Sequence, residues 1–65
     1  MNLQKPAYRL TFEDAVDIWL RHWHGEYQHV TAAAYEVNQG RISDVLRGRL
    51  HPGSERIARR KRTAA

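Results

Sequence analysis

The sequence predicts an all-α fold, three short helices followed by a short basic C-terminal helical extension or tail, and three observations carry that expectation. Apolar side chains recur at helical intervals early in the chain, with Phe12, Val16, Trp19 and Trp23 spaced by four, three and four residues. Farther on, Ala32, Val37, Ile42 and Val45 stand at offsets of five, five and three, which one straight helix stripe cannot hold, so residues 28–48 must form two helices with a break. Gly25, Gly48 and the Pro52-Gly53 pair then punctuate the chain where helices should stop.

The 65-residue length allows one domain near the lower limit for independent folding, where about 60% of the unfolded chain's surface is buried. Two tryptophans, three tyrosines and one phenylalanine supply large buried areas to a necessarily small core. Cysteine is absent, so neither a disulfide nor a cysteine zinc site staples the fold. The chain divides into an N-terminal arm at residues 1–10, a helical domain at 11–50 and a basic tail at 51–65.

Residues 1–8 carry a lone Pro6 and no periodicity, so they read as a lead-in, with Lys5 and Arg9 placed to lie along a polyanion or simply to be solvated. Thr11 opens the first helix, and Asp14 three residues later makes a weaker form of the capping box. Glu13, Asp14 and Asp17 sit near its start, where the helix dipole favours negative charge. Its stripe of Phe12, Val16, Trp19 and Trp23, flanked by Ala15 and Leu20, is expected in the core, and Gly25 ends it.

Asn38 is a good N-cap for a helix from Gln39 to about Leu46, with Gly48 as its stop, so the break falls at Glu36-Val37-Asn38. Ala32 is the small side chain that lets the two helices cross, with Val37, Ile42 and Val45 closing over Ala32 and Tyr35. Ile18 lies about 120° from the centre of the first helix's stripe. Together with Val30, Ala33 and Ala34, it forms a candidate partner surface. Beyond Gly48, Leu50 is expected to fold back, Ser54 to cap a short final turn through Ile57 and Ala58, and Arg59 to Arg62 to complete the tail.

This packing leaves Gln39, Gly40, Arg41, Ser43, Asp44 and Arg47 on the solvent face of the helix after the break, side chains suited to hydrogen-bond patterns on base edges. Charge is polarised the same way. Residues 1–40 carry three basic and five acidic side chains, net −2, whereas residues 41–65 carry eight and two, net +6. A polyanion is the natural partner for the second half.

At Gln28, Ala32, Val37 and Ile42 the sequence resembles the helix-turn-helix of small bacterial and phage DNA-binding proteins, and the run from Ile42 to Arg49 looks like the exit of their recognition helix. Overall it is most similar to the three-helix, homeodomain-like form at the C-terminus of Hin-type recombinases, whose scaffold helix begins Leu-Thr, as Leu10-Thr11 does here, and precedes a glycine, as Gly25 does. The resemblance spans about residues 10–50 and implies duplex DNA as partner and transcriptional regulation in the cytoplasm, at the nucleoid; because one recognition helix reads only a few base pairs, a homodimer on a two-fold site is expected, with help from flanking arms as the alternative. It implies base contacts from Gln39, Arg41, Ser43, Asp44 and Arg47, and backbone contacts from Gln28, Asn38, Arg49, Arg56, Arg59, Arg60, Lys61 and Arg62. Two positions depart from the family pattern. Glu36 stands where glycine is usual, so a left-handed turn there costs about 1–2 kcal/mol, and Thr31 stands where a larger aliphatic residue is usual.

Other chemistries find little footing. His22, His24, His29 and His51 lack metal-ligand spacing, Asp14 and Asp17 lack a pocket, and Ser43 and Ser54 lack a partnering base, so no enzyme, metal or cofactor is expected. No apolar run approaches the roughly eighteen residues that span a bilayer, and no leader segment opens the chain. Two other roles fit the same residues: a DNA-architectural, recombination or packaging accessory, and a protein-interaction inhibitor that has kept the fold.

Overall fold

A computed structural model describes residues 9–64; Lys5 and Pro6 of the N-terminal arm lie outside them. The described residues form the helices α1 (Phe12–Trp23), α2 (Gln28–Tyr35), α3 (Gln39–Leu46) and α4 (Ser54–Ala64). None is long and apolar enough to cross a membrane.

Local chemistry sets the helix ends. Thr11 and Asp14 form a reciprocal capping box, the Thr11 Oγ1 accepting from the Asp14 amide at 3.0 Å while the Asp14 carboxylate accepts from the Thr11 amide at 2.9 Å. At the other end the Glu26 amide donates to the Arg21 carbonyl and the Gly25 amide to the His22 carbonyl. This is a Schellman closure with Gly25 left-handed at φ 95°. The same pair of bonds ends α2, from Val37 to Ala32 and from Glu36 to Ala33, and ends α3, from Arg49 to Asp44 and from Gly48 to Val45. Glu36 therefore occupies the position that glycine fills in the other two, at φ 58° and ψ 42°. The chain breaks where the spacing required it, through a turn that bears the side-chain strain the sequence implied.

Ile18, expected on a partner surface, is instead 1% exposed in the core, and Phe12, expected in the core, is 40% exposed. Both corrections have one cause: α1 is walled on two sides. On one flank the Trp19 indole donates to Ser54 Oγ of α4, and on the other Asp17 and Arg21 reach Tyr35 of α2. The buried arc, from Ile18 through Ala15, Trp19 and Val16, is about 160° wide on a helical wheel rather than one narrow stripe. Burying an isoleucine is worth about 1.5–3 kcal/mol, so Ile18 belongs to the stabilising face. Phe12, at the first turn, makes an edge contact with His51, ring centroids 6.0 Å apart, and stays 40% exposed.

α4 is a second departure from the expected pattern. It continues eleven residues to Ala64 and packs chiefly on α1, with Ser54 and Ala58 buried and Ile57 half-buried. Small side chains four residues apart let two helix backbones approach, the role Ala32 plays where α2 meets α3. Thr31 is buried too, its hydroxyl donating to the Tyr27 carbonyl at 3.3 Å, so this position is filled by a satisfied polar group instead of an aliphatic one. Leu50 folds back against the core, and the His51 ring bonds the Leu10 carbonyl at 2.7 Å, tying the segment before α4 to the start of α1.

Candidate nucleic-acid interface

The α2–α3 pair is held to the scaffold by a polar cluster. The Asp17 carboxylate accepts from the Tyr35 hydroxyl and from Arg21 Nε at 2.9 Å, and Arg21 also faces Glu26 at 3.3 Å while lying 5.4 Å from the Tyr35 ring centroid. Burial, and then the Asp17 bond, push the Tyr35 phenol well above its ordinary range, so it stays a neutral donor. Arg21 is thereby committed to structure. Nothing in the residue spacing alone signalled this clamp, because its members come from α1, α2 and the loop between them.

α3 begins where Asn38 Oδ1 accepts from the Gly40 amide at 2.7 Å. Asn38, a candidate backbone contact, thus spends its side-chain oxygen on the cap. A Cβ at position 40 would sit 3.1 Å from that oxygen, so glycine there favours the cap and also leaves the helix surface low at its first turn. Ile42 and Val45 are buried, which fixes the rotation of the helix. At about 100° per residue the line opposite them carries Gly40 and Arg47, with Ser43 and Asp44 on either side of it and Gln39 and Arg41 farther round on opposite flanks. Gln39, Arg41 and Arg47 are exposed, and Ser43 and Asp44 are half-buried. Gln28, at the start of α2, is half-buried.

The cations divide into two groups. Arg59 is bound to Glu55 at 2.7 Å, and Arg62 lies over the Trp23 ring at 4.4 Å, so two of the expected backbone contacts already have partners inside the chain. Arg41, Arg47, Arg49, Arg56, Arg60 and Lys61 are exposed and, among the described residues, have no ion pair or ring contact. Arg56 and Arg60 are four apart, one turn of α4, and share its outer line. Val30, Ala33 and Ala34 are exposed on the outer side of α2, whereas Ile18, as above, is not. The described residues hold no group of three His, Cys, Asp or Glu placed to bind a metal ion.

What this arrangement can do chemically follows from its parts. A helix bearing two uncommitted guanidinium groups, a carboxylate and small polar side chains can satisfy donors and acceptors in a groove, while Arg49 and the α4 cations can neutralise phosphates on either side. Comparison with protein-family models, with curated proteins and with solved structures returns no match to this chain.

Proposed function

We propose that this chain is a sequence-specific double-stranded DNA-binding protein, a small transcriptional regulator of bacterial or phage type that sets α3 in the major groove and acts as a homodimer. The observation that carries this reading is the outward face of α3: Ile42 and Val45 anchor the helix, so Gly40 and Arg47 point away from the core, flanked by Ser43 and Asp44, with Arg41 and Gln39 at the sides. In this reading Arg47 and Arg41 donate to guanine O6 and N7, Gln39 bonds adenine and Asp44 accepts from a cytosine amino group. Arg49, Arg56, Arg60 and Lys61 supply affinity without sequence choice.

Selection of bound sequences from a random duplex pool tests it. Enrichment of a motif with two-fold symmetry is the expected result, and a pool that stays random overturns the reading. Salt titration gives a second measure: the four cations left for phosphates, Arg49, Arg56, Arg60 and Lys61, make log affinity fall with log salt at a slope of about −4 per bound copy, and a slope shallower than about −2 refutes the interface.

A further inference from the structure

We infer that two copies of this chain pair about a two-fold axis at the middle of α1, each seating its Phe12 and Glu13 in a groove between α1 and α4 of the other. The groove, about 410 Å³, is lined by Leu20, Trp23, His24, Lys61 and Arg62. Its apolar floor is Leu20 and the Trp23 ring, which Arg62 covers in part, and Lys61 stands on the rim with no partner among the described residues.

The same chain carries the counterpart. Phe12 is a large aromatic left 40% exposed, and the exposed Glu13 stands beside it. On a wheel of about 100° per residue, the direction shared by Phe12 and Glu13 lies within about 30° of that shared by Leu20, Trp23 and His24. Knob and groove therefore occupy one side of α1, at its two ends, roughly 15 Å apart along the axis. Antiparallel apposition of two α1 helices puts each Phe12 over the partner's Trp23 in one operation, the self-complementary arrangement a closed dimer needs. Charge agrees in sense, because each Glu13 then meets the Lys61 and Arg62 rim of the other copy. This surface takes the place of the one expected around Ile18, and it does not rest on DNA binding.

Sedimentation equilibrium of the full chain without DNA tests the inference. A monomer–dimer equilibrium is expected, weakened about tenfold or more by Glu13→Lys, which sets like charges together, and recovered by Glu13→Lys with Lys61→Glu. Far-UV circular dichroism of each variant checks that the helices are intact; Glu13 and Lys61 are both exposed. Because the chain has no cysteine, Glu13→Cys with Lys61→Cys gives a second readout: oxidation yields covalent dimers if the pairing closes. A monomer up to high micromolar concentration, a ladder of longer disulfide-linked species, or a dimer indifferent to the charge swap but lost on Val30→Asp each overturns it.

Discussion

Replacing Ser54 by alanine asks whether α4 is a wall of the core or an appendage. The Trp19 indole N–H donates to Ser54 Oγ at 3.2 Å across 35 residues of sequence, in a buried setting. Among the described residues no buried side-chain nitrogen or oxygen lacks a partner, and Ser54→Ala creates such a group, an indole N–H facing a methyl. Orphaning a buried donor costs about 1–3 kcal/mol. At about 0.05–0.15 kcal/mol per residue a domain this size has only about 3–10 kcal/mol in total. With a urea dependence near 1 kcal/mol per molar, the midpoint should fall by about 1–3 M, read from helix signal by circular dichroism. Trp19→Phe and the double variant complete a cycle. If the bond matters, the double variant loses less than the two single losses combined, by about 1 kcal/mol. A Ser54→Ala change within about 0.3 kcal/mol, or losses that simply add, would refute the argument that this contact docks α4.

Glu36→Gly removes a left-handed strain of about 1–2 kcal/mol and adds about 0.5–1 kcal/mol of chain entropy, for a net gain near 0.5–1 kcal/mol. The melting temperature should rise by about 2–8 °C, and a fall would mean that the glutamate side chain holds the turn. Tyr35 has a folded-state pKa raised by burial and by Asp17, so its contribution to stability is intact below about pH 10, where the unfolded phenol begins to ionise, and declines as pH rises toward the folded value. The difference between wild type and Tyr35→Phe in urea midpoints should therefore shrink above pH 10, and a constant difference from pH 8 to 11 would refute it. On DNA, Arg47→Ala should cost about 1–3 kcal/mol at the selected site and relax base choice, while Arg60→Ala weakens all duplexes alike and reduces the salt slope by about 1. Arg59→Ala, starting from a guanidinium already bound to Glu55, should change that slope less than Arg60→Ala does; equal effects would mean the ion pair opens on binding.

The sequence by itself determined the features that depend on a few neighbouring residues. Thr11 with Asp14 marked the start of α1, Asn38 the start of α3, and Gly25 and Gly48 the ends of α1 and α3, because a cap or a Schellman closure is completed within about six residues. The break near Glu36 was legible from spacing alone, and the closure of α2 put a left-handed residue there. Tertiary structure decided what surrounds each helix. Periodicity gives the direction of a side chain but not the number of neighbours around its helix, so it exposed Ile18 and buried Phe12 until α2 and α4 were in place on either flank of α1. The length of α4 was concealed by its cations, since the buried Ser54 and Ala58 are too small to register as an apolar stripe. Arg59 is held by Glu55 four residues before it on α4, a pairing local to that helix, whereas only the docking of α4 sets Arg62 over Trp23. That second assignment rests on a contact between segments far apart in sequence, and a local pattern does not encode it.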